Sequence, residues 1–211
     1  MAALSDSQIL DLIHTQQLQI EPLIADNVQP ASVDLTLHKM ISLLRRGDEP
    51  IDSKSIKADK DSLFEELEIP TEGYILEPMS FVIGHSDEFI TLPQSVNGMI
   101  LNRNSLAQIG IDVTPSAYVN PGFSGRKTIV IHNFGYRGIL LHKGMRICQL
   151  VLFALGAASL RSYDDRHKES CIIDYARSCV GSDVLIEGKS HNLDNSLSMI
   201  LDNMLQRAKQ G

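Results

Sequence analysis

The sequence predicts a mainly β domain, closed or sandwiched, with a short helix at its start and another at its end. Three observations carry this. From Gly73 onward the apolar runs YILEP, FVIGHS, EFITLP, NGMIL, TIVIHN, GILLHKG and ICQLVLFAL follow one another, with Pro, Gly and Asn between them. Strands recurring at about ten-residue intervals with such punctuation are the mark of an antiparallel all-β fold. Hydrophobic residues make up 43% of the 211, enough for one well-buried core, and aromatics only 5% with no Trp, so that core is aliphatic. Periodicity alone does not separate a jelly roll from a barrel.

Taken in order, Ser5 followed by Gln8 reads as a capping box opening a short helix, with Ile9, Leu10 and Ile13 on one face. LQIEPLI reads as a strand ended by Pro22. QPASVDLTL reads as another, with Val33, Leu35 and Leu37 alternating against Asp34, Thr36 and His38. Residues 45–72 are charged and irregular, a surface excursion with a helical turn at SLFEEL. A further helical turn is predicted at NSLAQIG, stopped by Gly110. In the tail, Leu193, Leu197, Ile200, Leu201, Met204 and Leu205 fall at helical spacing. The expected organisation is one β domain over 1–190 and an amphipathic helical tail over 191–211.

Charge narrows the function classes. The net charge of -7 argues against a nucleic-acid backbone as partner. Yet the 51 residues between Asp112 and Asp164 hold no Asp or Glu, while carrying Arg126, Lys127, Arg137, Lys143, Arg146 and Arg161. A locally cationic segment in an acidic protein suits a small polyanion such as a nucleotide triphosphate, although a buried β core also has little room for carboxylates. No apolar run reaches membrane-spanning length and the start lacks a secretory pattern, so a cytoplasmic protein with no membrane partner is expected. Cys148, Cys171 and Cys179 form no CxxC pair, and the HxE…PCxxC signature of zinc deaminases is absent. Any deaminase chemistry is expected to be zinc-free.

Four segments carry a family resemblance: ALSDSQILDLI with IEPL and QPASVDLTL, LNRNSLAQIGI, VNPGFSGRKTIVIHN, and KGMRICQLVLFAL. In this order, over roughly residues 3–163, they resemble the dCTP deaminase/dUTPase superfamily, and dCTP deaminases most. The resemblance implies a distorted jelly roll, the β-clip of dUTPases, assembled as a homotrimer with sites at subunit interfaces. It implies a deoxynucleotide triphosphate ligand whose Mg²⁺ rides on the phosphates, with no metal ligands from the protein.

Matched position by position, the resemblance implies nucleotide-binding roles for Arg103, Asn104, Ser105, Gln108, Asn120, Gln149, Tyr163 and Lys168. Asn104 stands where the family has Ser, and Gln108 where it has Arg. Asn120 stands where the family has an Asp before Pro121-Gly122; an amide still hydrogen-bonds a sugar hydroxyl but is no general base. Deaminases of the family carry a proton-shuttling Glu five residues beyond the Gly matched by Gly125. Here that residue is Val130. His132, two residues on and so on the same strand face, is the candidate replacement, its pKa range suiting proton transfer, though a strand histidine is also commonly a packed one. Beyond Tyr163 the likeness thins, and neither the deaminase K-Y-x-x-Q pattern nor the glycine-rich dUTPase arm is present. Three readings stay open: a dCTP deaminase making dUTP and ammonia, a non-catalytic nucleotide-binding sensor or regulatory trimer, and a nucleotide hydrolase using His132.

Overall fold

Aliphatic residues at every second position build two antiparallel sheets whose apolar faces meet. The computed structural model describes residues 2–52, 60–160 and Tyr163. In chain order these form β1 (Ala2–Ala3), α1 (Asp6–His14), β2 (Gln19–Glu21), β3 (Val28–Gln29), β4 (Ser32–Thr36), β5 (Met40–Leu44), α2 (Lys60–Leu63) and β6 (Phe64–Glu68). There follow β7 (Tyr74–Leu76), β8 (Ser80–Thr91), β9 (Val96–Asn102), α3 (Asn104–Ala107), β10 (Ile111–Asp112), β11 (Tyr118–Val119), β12 (Ser124–Asn133), β13 (Ile139–Leu141) and β14 (Arg146–Ala154). One sheet runs β11-β9-β14-β4-β3 with β1 also on β14; the other runs β10-β12-β8-β5-β6 with β2 also on β8; β7 and β13 pair separately. This is a distorted jelly roll, mainly β, and among the described residues neither sheet closes into a barrel.

The core is aliphatic, as composition predicts. Val33, Leu35, Ile100, Leu150 and Leu152 come from the first sheet, and Ile41, Val82, Ile90, Ile129 and Ile131 from the second, all essentially inaccessible. Full burial of each such side chain stabilises by roughly 1.5–3 kcal/mol. The capping box is present: the Ser5 hydroxyl accepts from Gln8 N–H at 3.4 Å, and Gln8 Oε1 accepts from Ser5 N–H at 3.0 Å. Ile9, Leu10 and Ile13 of α1 are buried.

Three expectations change. FVIGHS and EFITLP are halves of one twelve-residue strand, β8: His85 pairs with Thr128 and Phe89 with Arg126, and the polar run between them is a bulge rather than a break. The excursion after Arg45 is shorter than expected: SLFEEL ends its helical turn at Leu63 and continues as β6, paired with β5 from Leu44↔Phe64 to Met40↔Glu68. Its glutamates lie on a sheet edge, where exposed charge discourages pairing with other chains. In β4 the alternation holds but the polar side is covered as well. Asp34 is 2% exposed, and Thr36 and His38 are buried with it. The tail helix, the 190/191 boundary and Lys168 lie outside the described residues.

Candidate functional site

The covered polar side of β4 is where the charged groups converge. Gln149 on β14 is the register partner of Asp34 on one side and of Leu101 on the other. In a regular strand Arg146 and Gln149, three apart, would point to opposite faces. The register shifts between Arg146 and Cys148, so that Arg146 opposes Thr36 while Gln149 opposes Asp34. Thr36 and Asp34 share a face of β4, and the bulge therefore turns Arg146 onto the face of Gln149.

Arg103, at the end of β9, closes the group. Its Nη2 lies 3.5 Å from Asp34 Oδ2, and Nη1 of Arg146 lies 3.6 Å from the same oxygen. Arg103 Nη1 also donates to the Arg146 carbonyl at 3.3 Å. The other carboxylate oxygen, Asp34 Oδ1, is buried and has no hydrogen-bond partner among the described residues. Asn104 and Ser105 open α3 beside Arg103 and are exposed, as is Gln108 at its C-cap. Arg103 and Gln149 thus meet at Asp34, with Asn104 and Ser105 following Arg103 in the chain. Asp34 and the facing of Arg146 were not legible, because burial of a strand's polar face and a one-residue bulge leave no periodic trace.

A second neighbourhood surrounds the turn between β11 and β12. The Asn120 carbonyl accepts from Phe123 N–H at 3.2 Å, and Gly122 turns the chain at φ 73°. The Tyr163 ring lies 5.9 Å from that of Phe123 at 48°. Asn120 and Tyr163 are therefore both neighbours of Phe123.

Val130 lies on β12 opposite Ile83, on a half-buried face shared with His132. The His132 ring stacks between Phe81 at 5.1 Å and Phe134 at 4.9 Å, both nearly parallel. Its strand neighbour across β10 is Asp112, whose Oδ1 accepts from Asn102 Nδ2 at 2.9 Å, Thr114 N–H at 3.0 Å and the Thr114 hydroxyl at 2.7 Å. Partial burial pushes the Asp112 carboxyl up, but the Thr114 and Asn102 bonds and nearby His132 together carry it below its usual range. A carboxylate so stabilised is a weak base.

The acid-free segment is not left uncompensated, because earlier strands bring it acids. Asp87 of β8 lies 3.4 Å from Arg126, and Lys127 is a buried cation whose Nζ donates to the Tyr118 carbonyl at 3.2 Å. Glu88, 1% exposed, reaches across the sandwich to accept from Thr36 N–H at 3.1 and 2.9 Å and from its hydroxyl at 2.7 Å. Burial outweighs these bonds and raises its pKa. Sealed in the core and saturated by Thr36, Glu88 does not supply the carboxylate that the resemblance would place at Val130. Cys148 is free and buried, its thiol pushed up by burial and then by Glu88 and Asp34. Such a thiol is a poor metal ligand.

With this geometry in view, the comparisons with known proteins agree on one family. The model of the dCTP deaminase-like family matches residues 3–155. The dCTP deaminase, dUMP-forming, of Persephonella marina is 30% identical over 165 residues, covering 78% of this chain and 91% of that protein. Its counterpart in Aquifex aeolicus is 35% identical over 165 residues, covering 78% and 88%, and that of Coprothermobacter proteolyticus 37% over 150, covering 70% and 79%. Among solved structures, the 2'-deoxycytidine 5'-triphosphate deaminase from Agrobacterium tumefaciens aligns with a TM-score of 0.58 at 23% identity, over 79% of this chain. This chain spans about half the length of that one, 52%. The chain belongs to the dCTP deaminase-like family.

Proposed function

We propose that this chain binds a pyrimidine deoxynucleotide triphosphate, dCTP first among them, at the subunit interfaces of a homotrimer, and that it does not run the family's deamination by the usual route. The observation that carries the reading is the contrast between two neighbourhoods. Around Arg103 the donors are guanidinium, amide and hydroxyl groups, which complement phosphate oxygens. At Val130 a side chain with no titratable group stands opposite Ile83. The same donor set suits a Mg²⁺ held by the triphosphate itself, and none of these residues needs to ligate it.

Deamination adds water at C4 of cytosine and expels ammonia, so a proton must leave the water and reach the ring nitrogen and the departing amine. A positioned acid-base group contributes typically 10²–10⁴-fold to such a step. Asn120 holds a hydroxyl or a water by hydrogen bonding but takes no proton from it. Binding without turnover makes the chain a nucleotide sensor or a regulatory trimer in pyrimidine deoxynucleotide metabolism.

A second reading keeps catalysis and rests on the cross-strand pairing of Asp112 with His132. In it His132, the titratable group on the face of Val130, serves as the base for deamination or for hydrolysis of the triphosphate. One assay separates the two. The protein is incubated with Mg²⁺ and dCTP, then dUTP, while binding, ammonia and phosphate release are followed. Binding with neither product is the expected result. Turnover that His132→Ala abolishes overturns it in favour of the second reading, and no binding at millimolar nucleotide overturns both.

A further inference from the structure

We propose that Arg146 is a second phosphate-binding guanidinium beside Arg103, and that Asp34 is the positioning residue that aims both; this rests on the nucleotide-binding reading above. Asp34 is a carboxylate 2% exposed, and one guanidinium suffices to compensate one buried negative charge. Two are present, Nη2 of Arg103 at 3.5 Å and Nη1 of Arg146 at 3.6 Å, both on Oδ2. Both cations therefore stand within one carboxylate's reach of each other, and the trio keeps a net positive charge.

A fold gains nothing from crowding a second cation there, since like charges at this range repel. The excess is useful when an anion with several negative oxygens completes the group. The side chains are open in the right sense: Arg103 is 24% exposed and Arg146 44%, while the carboxylate beneath them is sealed. Arg103 spends one donor on the Arg146 carbonyl, which ties the two residues together. Each guanidinium has five N–H donors in a planar fork, so most remain for a ligand. Gln149, half-buried opposite Asp34, adds an amide on the same face.

The placement of Arg146 depends on the bulge in β14. Without that extra residue Arg146 would point away from Asp34 and Gln149. A triphosphate offers the two guanidiniums more negative charge and more acceptor oxygens than a single phosphate, and so gains more from the pair. Arg146 is thus assigned to discrimination by phosphate number, with Asp34 acting through it.

The test is a titration of the full-length protein with Mg·dCTP, dCMP and inorganic tripolyphosphate, comparing Arg146→Gln, Arg146→Lys and Asp34→Asn, each checked for native circular dichroism. Loss of a charge-assisted contact is expected to weaken Mg·dCTP binding by roughly tenfold or more in Arg146→Gln. The affinity for dCMP is expected to change little, and Arg146→Lys to recover part of the loss. Asp34→Asn is expected to weaken the triphosphate in the same direction, and in combination with Arg146→Gln to add little. Should Asp34→Asn not fold, the two Arg146 variants decide alone. Wild-type Mg·dCTP affinity in Arg146→Gln, or an equal loss for dCMP, overturns the assignment. Where the wild-type protein binds no nucleotide but binds tripolyphosphate through Arg146, the nucleotide reading fails and this one stands. Where it binds neither, both fail.

Discussion

By the family resemblance Asn120 and Val130 each stand in for a carboxylate, and the two replacements would remove different things. An amide for a carboxylate keeps shape and hydrogen bonding and loses basicity, so binding survives where proton abstraction does not. A valine keeps neither, and its neighbour Ile83 offers no replacement. Titration matters elsewhere in the molecule, at His85. Burial holds its imidazole down, with His38 and Arg126 adding to the effect, to about 4. A histidine neutral in the fold and charged when unfolded contributes stability that is complete above its ordinary value of 6.5 and is lost as pH falls towards 4. The loss amounts to at most about 3 kcal/mol. His38 is shifted the same way, whereas Glu88, shifted upward, favours the fold towards low pH. Only a variant therefore isolates the histidine. Urea unfolding at pH 7 and pH 5 is expected to show His85→Gln losing less stability on acidification than wild type. An unchanged difference between the two pH values would remove His85 from the account.

At the scale of elements, what was legible follows from local chemistry and what was not follows from pairing. The capping box, the turn at Gly110 and strands β7, β9, β12, β13 and β14 were readable because their signals lie within a few residues. The fusion of two runs into β8, the strand β6 among its glutamates and the bulge before Cys148 were not, since each is set by a partner strand distant in sequence. The site divides the same way. Arg103, Asn104 and Ser105 lie in one contiguous motif, whereas Asp34 joins them only through the β4–β14 register. Gly110 shows how a local signal can carry a second meaning. It ends the turn that follows α3, with φ 99°, and a Cβ there would meet Gly135 N at 2.6 Å. Two glycines thus let the turn after α3 lie against the turn after β12, next to the His132–Phe134 stack. Gly110→Ala combines a strained φ with a backbone clash and is expected to cost about 2 kcal/mol or more. Calorimetry reads this directly, and a melting temperature within a degree or so of wild type would contradict it.

Across the whole molecule, the arginine neighbourhood belongs to the face of one sheet, and the Asn120–Phe123 turn with Tyr163 to the link between the two sheets. If a nucleotide uses both through neighbouring subunits, as proposed, ligand binding and assembly are thermodynamically one event. A ligand that binds only the folded state stabilises it by about 2.7 kcal/mol at a hundredfold excess over Kd. When the site exists only in the assembled form, that stabilisation also draws subunits together by mass action. Mg·dCTP is therefore expected to raise the melting temperature by several degrees, and to shift sedimentation towards a trimer at protein concentrations where the free chain is partly dissociated. Arg103→Gln, which removes a guanidinium from the phosphate neighbourhood, is expected to lose both effects together. A thermal shift of equal size in a population that sediments as monomer throughout would mean that one subunit holds the whole site. The two neighbourhoods would then have to be joined within a single chain.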